Sequence, residues 1–256
     1  MTAIAALVCR DGIVIASDSE TTEQDMVRRD AEKITVLAME SSQVLVAESG
    51  NAESSRTAIE FLDKLAKHSK LDDYRKVADM GSEAMLACKR EIASHSYHCK
   101  MERLNDLIRR DGLDCTLMIC HFFNENPFIF TGDLLSGKFV MRPFAHWSIG
   151  IGKHITQYIL NRLYQPDCDL REAVRVAAYA VGEAKQSVPG CDGPTRIATI
   201  TRRNQGTALK PNHCADIEKE VLKLASEHNL SWGNLVTQIG VEAAKSPPVS
   251  EWQPAY

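Results

Sequence analysis

The chain opens "MTAIAALVCRDGIVIASDS". Two short runs, residues 2–9 and 12–18, are apolar almost throughout and are split by Arg10-Asp11-Gly12. Asp-Gly between two apolar runs is a strong hairpin signal. A strand with one wet face alternates apolar and polar residues, and these two do not. Both faces of the hairpin must therefore be covered by other layers of the molecule. The burial begins at the second residue, where most domains are frayed and polar.

The rest of the chain supplies the covering layers. "KITVLAM" at 33–39 and "SQVLVAES" at 42–49 predict a second strand pair. From Asn51 the period becomes helical, with Ala58, Ile59, Phe61, Leu62 and Leu65 on one face. A longer helical region is expected over 71–110, uninterrupted by proline, since the first proline is Pro127. Strands resume at "CTLMICHFF", "PFIFTGD" and "GKFVMRPF", followed by a glycine-spaced turn, "SIGIGKH". Helices are expected at 153–165 and 170–186, a last strand at 195–203, and helices at 214–227 and 231–245. Helices in sequential pairs between blocks of strands predict an α+β fold: a four-layer α-β-β-α sandwich of two antiparallel sheets, helices on both outer faces. We place one domain at 1–210 and a helical appendage and tail at 211–256.

Bulk properties exclude several classes. The 256 residues are 44% hydrophobic and 25% charged, with net charge −4. That balance and the absence of basic runs argue against nucleic acid as a partner. No apolar stretch suits a membrane span, and the start lacks the pattern of a signal peptide, so a cytoplasmic location is expected. Eight scattered cysteines without a CxxC pair read as reduced, buried thiols. His95, His98 and Cys99 could meet on a helix, but no fourth ligand is evident, so neither a metal nor a cofactor is expected.

Thr2 has chemistry of its own. Removal of Met1, usual when the next residue is small, would give Thr2 a hydroxyl and a free α-amine on one residue. An α-amine with a pKa of about 7.7–8.0 is a general base near neutrality, and this pair is a self-contained activated nucleophile. "TAIAALVCRDGIVIASDS", followed by "AEKI", resembles the proteasome β-subunit family of N-terminal nucleophile hydrolases, including the bacterial ring peptidases. "TGDLLSGKF", through Asp133 and Gly137, resembles the family's Asp-x-x-Gly hairpin, with one residue more between the two. "HWSIGIGKH" is similar to its strand-to-helix turn, and "GPTRIATI" to its final core strand. The likeness spans about residues 2–203, with an interval from Asp18 to Lys33 one residue shorter than usual.

The resemblance implies a threonine-type peptidase inside stacked homo-oligomeric rings, acting on peptides or unfolded protein. Whether an ATP-driven unfoldase feeds it is left open. It assigns Thr2 as nucleophile, Lys33 as the charge that activates it and Asp18 as partner of Lys33. The oxyanion donor would be a backbone N–H at Gly50, with Ser49 the alternative. No segment precedes the first strand, which argues against the gating α-type subunit. Two supporting polar positions are replaced by Ile151 and Val188; either the site is weaker, or Ser148, Ser187 or Asp192 substitutes from nearby. A structural subunit without turnover, or an amidase of the same superfamily acting on small amides, therefore stays open. Hairpin geometry adds a condition. A two-residue turn pairs Arg10 with Ile13 and separates Thr2 from Asp18. A three-residue loop with Gly12 left-handed pairs Cys9 with Ile13 and puts Thr2 and Asp18 on one face; the catalytic reading needs this second register, or a bulge with the same effect.

Overall fold

In a computed structural model, residues 2–23, 26–28, 30–40, 42–70, 73–95, 103–203, 205–228 and 232–248 are described. The opening runs form β1 (Ala3–Val8) and β2 (Gly12–Ser17). A small hairpin follows, β3 (Thr21–Glu23) with β4 (Met26–Arg28), which carried no clear signal in the sequence. Then come β5 (Ile34–Ala38) and β6 (Gln43–Gly50), and the helices α1 (Ala52–Lys67), α2 (Arg75–His95) and α3 (Leu104–Arg110). The region expected as one helix over 71–110 is thus at least two. His98 and Cys99 lie outside the described residues.

The second half runs β7 (Cys115–Phe123), β8 (Asn126–Asp133), β9 (Lys138–Met141), β10 (His146–Gly150), α4 (Lys153–Leu163), α5 (Leu170–Ser187), β11 (Arg196–Thr201), β12 (Gly206–Ala208), α6 (Pro211–His228) and α7 (Trp232–Lys245). β10–β1–β2–β11–β12 form one sheet and β5–β6–β7–β8–β9 the other, every neighbouring pair antiparallel.

The layers explain the unbroken apolar start. Ile4, Ala6, Ile13 and Ile15 face the second sheet and pack with Leu45, Ala47, Met118 and Phe122. Their neighbours Ala5, Leu7, Val14 and Ala16 face α4 and α5, among Leu160, Val174, Ala177 and Val181. On the other side, Val44, Val46, Leu117 and Ile119 pack against Leu62, Met85 and Ile108 of α1, α2 and α3. This is the four-layer α-β-β-α sandwich. Cys214, Ile217, Val221, Leu235 and Ile239 of α6 and α7 join the cluster of α4 and α5, so these helices extend one outer layer. Among the described residues Cys9, Cys88, Cys115, Cys120, Cys168, Cys191 and Cys214 are free and buried, and no helix is long and apolar enough to cross a membrane.

The hairpin register matches neither expectation. Val8 pairs with Ile13 and Ile4 with Ser17, and the loop is closed by the Cys9 N–H donating to the Gly12 carbonyl at 2.8 Å. The reason lies at Gly12. It is a strand residue, not a left-handed turn residue, and a Cβ there would lie 2.5 Å from the Ile200 carbonyl oxygen. Its missing side chain lets β11 approach.

His121 in β7 is buried on the face that carries Leu117 and Ile119, its Nδ1–H donating to the Gln43 carbonyl at 3.3 Å. Burial pulls its pKa down to about 4. The unfolded chain then binds a proton that the native chain refuses between about pH 6.5 and about 4. Stability is full above that window and lost as pH falls through it, by up to about 3 kcal/mol. Denaturant unfolding at pH 7 and at pH 4.5 should show this loss, and His121→Phe should flatten the slope.

Candidate active site

Thr2 stands at the end of β1, where the edge strand β10 turns into α4. The Gly152 N–H donates to the Thr2 carbonyl at 3.0 Å, and Ala3 pairs with Gly150. Gly150 has φ +91°, and a Cβ on it would lie 2.2 Å from the Thr2 carbonyl oxygen; one on Gly152 would lie 2.6 Å from the Ala3 Cβ. Both glycines are required by close approach, and at Gly150 the positive φ adds to the requirement. They pin the backbone of Thr2, which is 5% exposed, with its hydroxyl toward the second sheet.

Lys33 comes from that sheet, one residue before β5. Its Nζ donates to Thr2 Oγ1 at 3.1 Å and to both Asp18 oxygens at 3.0 Å. Asp18 is fully buried and Lys33 4% exposed. Asp18 reaches this place by leaving the ladder. Regular alternation in the observed register would set it beside Ala3 and Ala16, on the helix side. β2 ends at Ser17 instead. The Asp18 N–H still donates to the Ala3 carbonyl at 3.1 Å, but the Ala3 N–H donates to Asp18 Oδ1 at 2.8 Å. The Glu20 N–H reaches Oδ2 at 3.3 Å. The carboxylate is thereby aimed along the open end of the sheet toward Lys33.

Burial pulls the Lys33 ammonium down from the usual lysine range, against the raising effect of Asp18. Burial likewise pushes the Asp18 carboxyl up, against Lys33 and the Ala3 and Glu20 N–H donors. Desolvation of each charge is what the other charge opposes. The result is a charged donor against a hydroxyl oxygen in a dry site.

Thr2 and Lys33 open into a cavity of about 340 Å³. Gly50, φ +105° at the end of β6, lines it together with Ser49. Gly50 packs so tightly on β7 that a Cβ would lie 2.5 Å from the Asp114 carbonyl oxygen. The other supporting residues expected from sequence fall elsewhere. Ser148 pairs with Ala5, which puts it on the helix-facing side of the sheet, in a separate cavity with His146, Lys153 and Gln157. Ser187 is exposed at the end of α5. Asp192 is nearer, but through its backbone: its carbonyl accepts the N–H groups of Ser19 and Glu20, just after Asp18. Ile151 is 53% exposed. Cys191 is buried against Ala3 and Ala184, near enough for Asp18 and Lys33 to act on its thiol, which burial pushes up to about 11.

Sequence reading missed Gly150 and Gly152 as the clamp on Thr2, and Glu48 as a cavity wall residue. The G-x-G spacing was visible; the strand it presses against was not.

The model of the proteasome subunit family matches residues 2–200. The chain belongs to this family. Among solved structures, Anbu, described as an ancestral beta-subunit, from Yersinia bercovieri superposes with a TM-score of 0.67 at 15% identity, covering 97% of this chain and 98% of that one. A mutant of Anbu from Hyphomicrobium sp. strain MC1 gives 0.65 at 16% identity, covering 88% and 97%. No curated protein sequence matches significantly. At these identities the structural likeness establishes the proteasome-like fold of the family member described here.

Two outcomes follow from the geometry. Gly150→Ala strains the left-handed backbone and collides with Thr2, and should lower the unfolding free energy by about 1–3 kcal/mol, with a crystal structure showing Thr2 displaced from Lys33. Asp18→Asn leaves Lys33 buried without its countercharge and should cost about 3–5 kcal/mol. Adding Lys33→Met should restore more than half of that in denaturant titrations.

Proposed function

We propose that this chain is a threonine-type peptidase whose nucleophile is Thr2. The observation that carries the reading is the Lys33 ammonium, 3.1 Å from Thr2 Oγ1 and 3.0 Å from both oxygens of buried Asp18. A lysine charge placed there favours the alkoxide form of the hydroxyl. Loss of Met1 frees the Thr2 α-amine as the base.

The reaction is acyl transfer. Thr2 Oγ attacks a peptide carbonyl while its proton passes to the α-amine, directly or through one water. The oxygen–carbon bond forms, and the carbonyl oxygen takes the negative charge at the backbone N–H of Gly50. The proton then goes to the leaving amine as the carbon–nitrogen bond breaks. Water hydrolyses the ester by the reverse of the same transfers. Thr2 and Gly50 lining one cavity supports these roles. Family membership supports assembly into homo-oligomeric rings, working in the cytoplasm on peptides or unfolded chains, alone or fed by an ATP-driven unfoldase.

A second reading, a structural ring subunit without turnover, is favoured by apolar Ile151 and Val188 at positions where the family resemblance calls for polar groups. A peptide epoxyketone separates the two, since its warhead needs both the hydroxyl and the free amine. The peptidase reading expects an adduct on Thr2, by intact mass, on chains that have lost Met1, and none on Thr2→Ala. A trimmed chain without adduct favours the structural subunit. Lys33→Ala should slow peptide hydrolysis about 10²-fold or more. kcat/KM should rise with pH through about 7.7–8.0 as the amine becomes neutral. Native mass counts the subunits.

A further inference from the structure

Residues 134–166 contain no aspartate or glutamate, in a chain with 34 of them among 256 residues. The stretch builds β9, β10, α4 and their connections. It carries Lys138, Arg142, Lys153 and Arg162, and none of these makes an ion pair among the described residues. Asp133, just before the stretch, acts on Arg142 by charge, but its two oxygens are taken by the Ser136 N–H and hydroxyl at 2.7 and 2.9 Å.

The strand at the centre of this stretch has an open edge. β10 pairs with β1 on one side only. The Val8 N–H donates to the Ala145 carbonyl at 2.6 Å, and Ala6 and Ile4 stand opposite Trp147 and Ile149. Antiparallel bonding alternates, so Ala145, Trp147 and Ile149 turn their backbone groups to β1. His146 and Ser148 turn theirs away, and those groups make no hydrogen bond among the described residues. A cavity of about 530 Å³ lies along this edge, lined by Phe144, His146, Trp147 and Ser148 of the strand side and by Lys153 and Gln157 of α4.

The two sides of the edge favour different guests. Toward α4 they favour negative charge. Lys153 is the first residue of a helix with no acid in its first turn and no side-chain cap, so an acidic group there meets a cation and the positive end of the helix together. His146 adds no charge, since burial lowers its pKa and its Nδ1 accepts from Gln157 Nε2 at 2.9 Å. Toward the second sheet the surroundings are apolar. Phe139 packs on α2 at Gly81, so Val140 turns to the other face of β9, the side of the first sheet. It is 53% exposed there. Phe144, 60% exposed, stacks on Trp147 with ring centroids 6.0 Å apart, and the Arg142 guanidinium lies 4.6 Å from the Trp147 centroid. Cations on an edge deter unwanted pairing, but they do not require Val140 and Phe144 to stand in water.

We infer that the free edge of β10 takes up an extended segment of a partner protein in which acidic and apolar side chains alternate. Added as a sixth strand of the first sheet, the segment exchanges backbone hydrogen bonds with His146 and Ser148. Its acidic side chains turn toward Lys153 and the start of α4, and its apolar ones toward Phe144 and Val140. A second copy presenting its own β10 is the poorer occupant, because it brings a second set of the same cations to the contact.

The probe is a fluorescein-labelled heptapeptide alternating glutamate and valine, and its control carries lysine for glutamate. Binding to the full chain is read by fluorescence anisotropy. The glutamate peptide should bind about tenfold or more tightly than the lysine peptide, and its affinity should fall as salt rises. Ser148→Pro removes an outward N–H that β1 does not use, a change that edge strands tolerate, and should weaken binding about fivefold or more. Lys153→Glu, at an exposed position, should remove most of the preference for glutamate, and it carries the test alone where Ser148→Pro does not fold. No binding by the native chain, equal binding of the two peptides, or an affinity that Lys153→Glu or a folded Ser148→Pro leaves unchanged overturns the inference. So does a subunit count, by native mass, that falls in Ser148→Pro, since the edge then belongs to another copy of this chain.

Discussion

Lys33 is an ammonium carried into a place where water hardly reaches. It is tolerable there because Asp18 faces it with both oxygens and because two backbone N–H groups hold Asp18 still. Take away the carboxylate and the ammonium has every reason to lose its proton; take away the ammonium and the carboxylate has the same reason to gain one. The pair also ties the layers together. Asp18 follows a strand of the first sheet, and Lys33 precedes a strand of the second. One interaction therefore fixes the distance between the sheets at their open end and aims the charge at Thr2.

That aim depends on backbone approach as much as on charge. Thr2 is held by the Gly152 N–H and by Gly150, the strand partner of Ala3, which packs on the Thr2 carbonyl with no room for a Cβ. A residue so near the start of the chain would otherwise sample many positions, and the reactivity proposed for its hydroxyl depends on holding it in one. The unbroken apolar runs of β1 and β2 serve the same end. Strands sandwiched between a sheet and a helical layer do not fray, so rigidity extends to the second residue.

Much of this was legible in the residues. The two apolar runs around Asp11-Gly12 required cover on both faces, and the alternation of strand blocks with helix pairs required two sheets with helices outside. Thr2, Asp18 and Lys33 were candidates from the ordered set of motifs, and they meet. The hairpin register was not legible, because Gly12 was read as a turn residue and is instead a strand residue that admits β11. Ser148 and Ser187 were chosen for nearness in sequence to positions where a polar group was wanted. Strand alternation sent one to the helix side, and the end of α5 left the other in water. Glu48 gave no signal, since an acid near a strand end is ordinarily a surface residue.

The sequence by itself determined the layering and the residue types available for chemistry. Hydrophobic pattern is a local property, and burial on both faces can be read from a dozen residues. Only the tertiary structure decided which groups share a pocket. Strand ends, close approaches and the turning of one side chain out of its ladder depend on what packs alongside. The partners of Asp18 come from three separate places in the chain, Ala3, Glu20 and Lys33, and the lysine reaches on to Thr2, beside Ala3. No window of sequence contains their geometry, because it is set where two sheets meet.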